Sequence, residues 1–295
     1  MIGMDNVKEN IINQIIFYLQ SLDDNKRCNS CINCMCGQLC QNIKVDDMMH
    51  TIITGPPGVG KTELGKILGE IYKGMGILKN GELHVATRSD LIAKYLGQTA
   101  IKTQNFIDKC SGGVMFIDEA YSLGNIEQRD SFSKECIDTI NQNLTEKRDF
   151  ICIIAGYADS LDDCFFKYND GLKRRFSFKY EVTEYTPTEL KDIFIRKLEQ
   201  YNWRIDPDLV QSHMLDNFFA KNKEFFPNFG GDMETLFTNC KIVHGRRVLF
   251  LDKRFKRILI KSDIEKGFSL YKSHRVIDKV SSDKKDQNLI DILYI

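Results

Sequence analysis

The sequence predicts an α/β fold, in which helices cover both faces of a parallel β-sheet, followed by a small all-helical domain. Apolar segments of strand length alternate with helical patterns up to about residue 184. Such near-continuous apolar strands are typical of a parallel sheet that is buried on both faces. A glycine-rich loop at 55–62 follows the first predicted strand. Beyond residue 186, every predicted element is a helix.

The elements of the first domain follow in chain order. An amphipathic helix is predicted at 2–22, because apolar residues recur on one side of it at helical spacing. A polar connector at 23–47 then leads to the sheet. The predicted strands are 49–54, 83–87, 114–117, 150–155 and 176–182. Helices are predicted from 61 to about 74, from about 100, and at 131–144.

A capping pattern marks the start of the second domain. Thr186 is a good N-cap, Pro187 suits the first helical position, and Glu189 completes a capping box. Helical patterns continue from there to about residue 275. The predicted domains are therefore 1–184 with a cysteine-rich insertion at 23–47, a helical domain at 187–275, and a polar tail at 276–295.

Composition and charge argue against several classes of protein. The 41 basic and 41 acidic residues balance, which disfavours bulk electrostatic capture of nucleic acid or of an anionic membrane. The chain has no stretch of 18 apolar residues, which a helix would need to span a bilayer. Residues 1–9 lack the basic flank and apolar core of a secretory signal. We therefore expect an intracellular, cytoplasmic protein without a membrane partner.

The loop at 55–62 fits the pattern G-x-x-x-x-G-K-[ST], in the strand–loop–helix context that phosphate binding requires. Its glycines allow backbone N–H groups to point at phosphate oxygens, and the following helix adds its N-terminal dipole. Lys61 would neutralise the β- and γ-phosphates, and the Thr62 hydroxyl would hold Mg²⁺. The expected nucleotide contacts in this loop are Pro57, Gly58, Val59, Gly60, Lys61, Thr62 and Glu63.

Two carboxylates follow the buried strand at 114–117. They lie at its C-terminal end, where open α/β sheets bind ligands. Asp118 would contribute to the nucleotide site by holding Mg²⁺ through water, and Glu119 would polarise the water that attacks the γ-phosphate. Together with the phosphate loop, this pair predicts a domain that hydrolyses a nucleoside triphosphate.

These motifs resemble those of the AAA+ ATPases, and in particular the branch of red-type Rubisco activase (CbbX) and stage V sporulation protein K. The shared segments occur in family order over nearly the whole chain. They are 2–4 with Lys8, 55–62, 94–99, 117–121, 129–130, 154–157 and 171–176. The resemblance implies a P-loop NTPase sheet with a helical lid domain, ATP and Mg²⁺ as cofactors, and a homo-oligomer, most simply a hexameric ring.

The resemblance also assigns roles to residues outside the two motifs. Arg175, or else Arg174, matches the arginine that reaches the γ-phosphate bound by a neighbouring subunit; the alternative is a basic turn. Tyr95, Leu96 and Gly97 resemble the loop that lines the central pore; the alternative is a tyrosine buried at a helix start. Ile2 and Gly3 resemble the segment that closes over adenine, which would make the nucleotide ATP.

Two positions depart from the family pattern. Tyr157 stands where a small polar sensor residue is usual, and its hydroxyl, or Asp159, could orient water instead. Residues 232–234 stand where a lid arginine is expected, and Arg246 or Arg247 could replace it. The missing lid arginine bears on the coupling of the lid to the nucleotide more than on hydrolysis.

A cluster of cysteines in the connector leaves three interpretations open. We favour free thiols in a solvated insertion over structural zinc, because four ligands within so short a segment are unusual for zinc. The spacing of the first cysteines also resembles that of an iron–sulfur site, but the fourth cysteine of that pattern and the proline after it are missing. The cluster consists of Cys28, Cys31, Cys34, Cys36 and Cys40.

The predicted function is ATP-driven remodelling of a protein substrate, which the sequence does not identify. One alternative is an AAA+ loader or motor acting on nucleic acid, which neutral charge and an aromatic, non-basic pore loop disfavour. The other is a nucleotide-gated scaffold that binds ATP but scarcely hydrolyses it.

Overall fold

A computed structural model of the chain describes residues 1–20, 48–95, 97–125, 127, 130–169, 171–252 and 256–275. The chain divides into two compact units. The first unit combines 4–56 with 60–183, and the second combines 1–3 and 57–59 with the residues from 184 onward. The expected cysteine-rich insertion and the expected polar tail lie outside the described residues.

The first unit is built around a five-stranded parallel sheet. Its strands are β1 (Thr51–Thr54), β2 (Leu83–Ala86), β3 (Val114–Ile117), β4 (Ile151–Gly156) and β5 (Phe178–Glu181). The spatial order is β2-β3-β4-β1-β5, and all neighbouring strands are parallel. β1, β3 and β4 are buried along their whole length. This burial explains the continuous apolar runs of β3 and β4, whereas β1 buries a threonine at each end, Thr51 and Thr54.

Four of the helices of this unit were predicted, with shifted ends, and the short helices α3 and α6 were not. They are α1 (Asp5–Leu19), α2 (Lys61–Gly74), α3 (Arg88–Leu91), α4 (Thr99–Lys109), α5 (Ser131–Glu146) and α6 (Ala158–Cys164). α1 begins later than predicted because Gly3 and Met4 have φ values of 61° and 58°, which a right-handed helix does not allow. α2 packs closely on the sheet at Gly65, where a Cβ atom would lie 2.7 Å from the ring of Phe116.

The strand order brings three chain segments to one edge of the sheet. β4 lies between β1 and β3, with Thr54 paired to Gly156 and Ile117 paired to Ile154. Because all these strands are parallel, the segments that follow them leave the sheet at the same carboxyl edge. These segments are the phosphate loop, the acidic pair and Tyr157.

In the part that the structure describes, the second unit consists of helices and one short pair of strands. Its helices are α7 (Pro187–Gln200), α8 (Pro207–Gln211), α9 (Met214–Asn222), α10 (Phe229–Arg247) and α11 (261–275). β6 (Arg204–Ile205) and β7 (Ile258–Leu259) form a parallel pair that an all-helical prediction does not include. Two-residue strands are too short to show the alternating pattern by which a strand is recognised.

The predicted capping box at the start of α7 is confirmed. The Thr186 side chain accepts a hydrogen bond from the Glu189 N–H at 3.3 Å, and the Glu189 carboxylate accepts one from the Thr186 N–H at 2.7 Å. Pro187 occupies the first helical turn, as predicted. In the described parts of the chain, no helix has both the length and the apolar character needed to cross a membrane.

A buried histidine beside β1 should make the stability of the first unit depend on pH. His50 Nδ1 accepts a hydrogen bond from the Cys152 N–H at 3.0 Å, and Nε2 lies 3.3 Å from the Leu144 carbonyl oxygen, to which it can donate. The ring is therefore neutral, with its proton on Nε2. Burial lowers the pKa of His50 from 6.5 to about 4.

We expect the free energy of unfolding to fall as the pH is lowered from about 6.5 to about 4. In this window the unfolded chain binds a proton that folded His50 excludes, so stability drops by up to about 1.4 kcal/mol per pH unit. Urea unfolding at several pH values measures this slope. His50→Asn should remove that contribution, whereas His84→Asn, at a half-buried histidine in the same unit, should keep it. Equal slopes for the wild type and His50→Asn would contradict the prediction.

Candidate active site

The phosphate loop joins β1 to α2 through residues 55–60. Gly58 and Gly60 have φ values of 74° and 90°, which glycine adopts without strain. Gly58 also faces the backbone of the second unit, to which residues 57–59 belong. A Cβ atom at Gly58 would lie 1.9 Å from the carbonyl oxygen of Asn228. A larger residue at Gly58 would therefore collide with this backbone.

Lys61 is the first residue of α2, and its ammonium group turns back onto the loop. Nζ donates to the carbonyl oxygens of Gly55 at 3.0 Å and Pro56 at 2.8 Å. It also lies 5.9 Å from the centre of the Tyr157 ring. Burial lowers the pKa of Lys61, while the charges of Asp118 and Glu119 act in the opposite direction. The lysine is thus within electrostatic reach of both carboxylates.

The two carboxylates occupy a sharp turn after β3. Asp118 is half-buried and Glu119 is exposed. Glu119 has a φ of 49°, and its N–H donates to Asp118 Oδ1 at 3.1 Å. A left-handed conformation at a residue other than glycine costs about 1–3 kcal/mol and persists only where the surroundings hold it, which is frequent at active sites. Glu119 also precedes a single 3₁₀ turn, Ala120–Leu123.

Tyr157 lies at the end of β4, and the strand order places it between the other two motifs. Its ring contacts that of Tyr121 at 6.1 Å between centres, in addition to its contact with Lys61. Burial and then the nearby charge of Glu119 raise the pKa of Tyr121, so this hydroxyl keeps its proton at neutral pH. Asp159, the other candidate for orienting water, is exposed in the first turn of α6.

The expected magnesium ligands offer suitable chemistry. Thr62 is half-buried beside Lys61 and presents a hydroxyl oxygen, and Asp118 presents a carboxylate. Mg²⁺ prefers oxygen donors and is usually held by one or two protein groups together with phosphates and water. Glu63, the last expected contact of the loop, is exposed and forms an ion pair with Lys66 at 3.3 Å.

The two candidate arginines differ in their surroundings. Both lie in the 3₁₀ turn Lys173–Arg175, where Arg174 is exposed and Arg175 is half-buried. The Nε atom of Arg175 is buried and has no hydrogen-bond partner within the described ranges. An unpaired buried donor lowers stability by about 1–3 kcal/mol, so such donors are rare in folded proteins.

The segment between α3 and α4 presents an aromatic side chain to solvent. Tyr95 is 69% exposed, so the alternative that it is a buried tyrosine is wrong. Gly97 has a φ of 78°, and no atom lies within 4 Å of the position that a Cβ atom would take. Leu96 lies outside the described residues, as do Arg129 and the candidate metal ligands Cys28, Cys31, Cys34, Cys36 and Cys40.

Ile2 and Gly3 belong to the second unit, together with the tip of the phosphate loop. A Cβ atom at Gly3 would lie 3.2 Å from the ring of Tyr185. The Tyr185 hydroxyl donates to the Val59 carbonyl oxygen at 2.7 Å, and burial raises the pKa of Tyr185 to about 12. No motif marks Tyr185 in the sequence, where its only signal is an aromatic residue directly before the capping box of α7.

Arg247 does not replace the missing lid arginine at the start of α10. Its guanidinium is held by Asp263 at 2.8 Å and by the Ile258 carbonyl oxygen at 3.0 Å. Since an α-helix rises about 1.5 Å per residue, Arg247 lies roughly 25 Å along α10 from Gly230. Arg246, beside it, is exposed.

The first turn of α10 instead carries a buried aspartate. Asp232 accepts hydrogen bonds from the Asn228 N–H at 2.7 Å and from Arg275 at 2.9 Å. The adjoining backbone meets the phosphate loop, because the Gly230 N–H donates to the Gly58 carbonyl oxygen at 3.0 Å. The arginine that the structure brings to this turn is therefore Arg275 from α11.

Comparisons with known proteins show which family the first unit resembles. The model of the ATPase family associated with various cellular activities (AAA) matches residues 51–183. A cfxQ-like protein of Acanthamoeba polyphaga mimivirus is 41% identical over 272 residues, which cover 92% of this chain and 62% of the relative. Stage V sporulation protein K of Bacillus subtilis (strain 168) is 34% identical over 210 residues, which cover 70% of this chain and 60% of that protein.

Solved structures share the fold at low sequence identity. A structure solved to explain katanin self-assembly superposes with a TM-score of 0.56 at 16% identity, over 91% of this chain and 82% of that chain. The alignments with the two relatives reach 62% and 60% of their lengths, so this chain matches only part of each.

Proposed function

Because this chain contains an ATPase domain of the AAA family, we propose that it couples Mg-ATP binding and hydrolysis in an oligomeric ring to the remodelling of a protein substrate. The substrate would pass through the central pore of the ring. Members of this family are P-loop ATP hydrolases. The ring, the pore and the substrate are the parts that this proposal adds.

The observation that carries the proposal is that the loop before Lys61 and the pair Asp118 and Glu119 follow parallel strands and leave the sheet at the same carboxyl edge. The charges of Asp118 and Glu119 accordingly act to raise the pKa of Lys61 against the effect of burial. In the proposed mechanism, Lys61 would leave the loop carbonyls and bind the β- and γ-phosphates, while Thr62 and, through water, Asp118 would hold Mg²⁺. Bound Mg²⁺ supplies positive charge that offsets the charge developing on the transferred phosphoryl group.

Glu119 then acts on water. Its exposed carboxylate accepts a proton from the water that attacks the γ-phosphate, and the left-handed turn holds it beyond the end of β3. Tyr157, between the phosphate loop and the acidic pair, is positioned to orient the same water through its hydroxyl. This role would replace that of the small polar residue expected after β4.

The surroundings of Arg175 support the proposal that each ATP site is shared between two subunits. Arg175 is half-buried, and its buried Nε has no hydrogen-bond partner within the described residues. A neighbouring subunit's nucleotide would supply a γ-phosphate for it, and such an arginine stabilises charge that develops only in the transition state. We therefore propose that each site is completed by Arg175 of the adjacent subunit, most simply in a hexamer.

The exposure of Tyr95 supports the proposal that the substrate is a protein. Its exposed ring, two residues before a glycine with open space around it, can grip a chain segment by contact area without sequence selectivity. The zero net charge of the chain gives no electrostatic support to the alternative of a nucleic-acid motor. If single-stranded DNA at moderate salt stimulated hydrolysis, that alternative would be favoured instead.

ATP turnover per subunit should rise steeply with protein concentration and then level off. A site that needs Arg175 of a neighbour is inactive in a monomer, so activity follows assembly. The measurement is steady-state hydrolysis over a wide range of protein concentrations, paired with sedimentation analysis of oligomeric state. Flat, measurable turnover would contradict the shared site, and no turnover at any concentration would favour the nucleotide-gated scaffold.

A further inference from the structure

Arg88, at the start of α3, has a guanidinium group that contacts two other elements. Nη1 donates to the carbonyl oxygens of Ser122 at 2.7 Å and Leu123 at 2.9 Å. Nη2 donates to Asp130 Oδ2 at 2.7 Å. The planar fork of arginine is suited to this arrangement, because it offers several donors in fixed directions. None of the motifs described above includes this residue.

The carbonyl groups that Arg88 binds belong to the turn that follows Glu119. This turn, Ala120–Leu123, is a single 3₁₀ turn, and the last carbonyl groups of so short a turn have no partner within the turn itself. A cation at the C-terminal end also complements the dipole of the turn. At the other end, the Ser122 N–H donates to the Glu119 carbonyl oxygen at 2.7 Å. Arg88 therefore holds the far end of a turn whose near end is Glu119.

Asp130 provides a fixed anchor for Arg88. Its carboxylate caps α5 by accepting hydrogen bonds from the Phe132 N–H at 3.0 Å and from the Ser133 hydroxyl at 2.6 Å. Burial acts to raise the pKa of Asp130, but the hydrogen bonds from Ser133 and Arg88 outweigh it, so the pKa lies below its usual range. Asp130 is thus ionised at neutral pH, and the Arg88 fork is held by a charge at one end.

The backbone of α3 leads directly into the segment that carries Tyr95. α4 holds the end of α3, because the Thr103 hydroxyl donates to the Leu91 carbonyl oxygen at 3.0 Å and Lys102 donates to the Ile92 carbonyl oxygen at 3.0 Å. Arg88 therefore joins two features that are far apart in the chain: the turn after Glu119 and the base of the Tyr95 segment.

We propose that Arg88 is a positioning residue for ATP hydrolysis, which holds the turn that carries Glu119 and fixes this turn to the helix from which the Tyr95 segment extends. This inference rests on the role proposed above for Glu119. Without the Arg88 guanidinium, the carbonyl groups of Ser122 and Leu123 lose the donor that fixes the turn after Glu119. The carboxylate is then less often aligned with the attacking water, while the phosphate loop is unchanged.

The experiment compares Arg88→Gln and Arg88→Lys with Arg148→Gln, which removes an exposed arginine from the same unit. For each variant, kcat and KM for ATP hydrolysis, the affinity for ATP and Tm are measured at protein concentrations where the wild type is fully assembled. We expect kcat to fall about 10- to 100-fold in Arg88→Gln, as charge-assisted hydrogen bonds are lost, with ATP affinity within about twofold of the wild type. Arg88→Lys, which keeps the charge but not the fork, should be intermediate, and Arg148→Gln should match the wild type.

Hydrogen exchange supplies a second readout. Backbone amides at 120–124 and 92–95 should exchange faster in both Arg88 variants, and those of α2 should not change. An unchanged kcat in a folded Arg88 variant would overturn the proposal. So would a parallel loss of kcat and ATP affinity with a lowered Tm, since that pattern indicates general destabilisation. If Arg88→Gln does not fold, Arg88→Lys decides by the same criteria.

Glu119→Gln separates this inference from the proposed function. If Glu119→Gln hydrolyses ATP like the wild type, the proposed role of Glu119 fails, and the inference about Arg88 fails with it. If Glu119→Gln is inactive while both Arg88 variants turn over ATP normally, only the inference about Arg88 fails.

Discussion

Replacing Arg175 with alanine is expected to lower kcat for ATP hydrolysis by about 10³- to 10⁵-fold, the range found for arginines that reach the transferred phosphoryl group from a neighbouring subunit. The guanidinium is half-buried and its Nε has no partner within the described residues, so it is held ready for a charge that the isolated chain does not supply. ATP affinity should change little, because the phosphate loop is intact. Steady-state kinetics above the assembly concentration measures both quantities.

Arg174→Ala is the matched control for this prediction. Arg174 is adjacent in the chain but exposed, so its removal should change kcat by no more than a few-fold. If instead Arg174→Ala is inactive and Arg175→Ala is not, the roles of the two arginines are reversed.

Mixing two inactive variants tests whether the arginine acts in trans. In a mixed ring of Arg175→Ala and Lys61→Ala subunits, a subunit with intact Lys61 can receive Arg175 from its neighbour. Turnover should therefore reappear in the mixture, although each variant alone is inactive. A mixture that stays inactive, while sedimentation shows mixed oligomers, would contradict a site shared between subunits.

Replacing Glu119 with glutamine is expected to lower kcat by about 10²- to 10⁴-fold while ATP binding is retained. The amide has the same shape as the carboxylate but cannot accept a proton from the attacking water. Lys61, Thr62 and Asp118 remain available for the phosphates and Mg²⁺, so the variant should hold ATP without hydrolysing it. Single-turnover hydrolysis and the nucleotide recovered with the purified variant measure the two effects separately.

Glu70→Gln is the control for the glutamate variant. Glu70 is exposed on α2 and lies 3.9 Å from Lys73, so the same chemical change there should leave kcat unaffected. A nucleotide-gated scaffold would give a different result, since Glu119→Gln would then alter neither its already slow turnover nor its bound nucleotide.

The sheet and its motifs could be predicted because their signals are local in the chain. β1, β3 and β4 are buried on both faces, which favours apolar residues: β3 and β4 are apolar throughout, and β1 has two isoleucines between two buried threonines. The phosphate loop needs glycines at positive φ, and the start of α7 needs a capping box. Each of these requirements involves residues within a few positions of one another.

Pairings between distant residues could not be predicted in this way. Two adjacent arginines look alike in sequence, and only the packing around them leaves Arg174 exposed and Arg175 half-buried. Arg247 was a candidate for the lid arginine until the structure paired it with Asp263. Arg88 meets Ser122 across 34 positions of the chain.

The amino-acid sequence by itself therefore determined the longer helices, the strands of the main sheet, the phosphate loop and the acidic pair, since neighbouring residues set the backbone conformation and the spacing of buried residues. The tertiary structure decided which charged side chains have partners, and it placed β4, and with it Tyr157, between β1 and β3. Charge interactions and hydrogen bonds act over a few ångströms in space. Which groups come that close depends on the folded path of the whole chain.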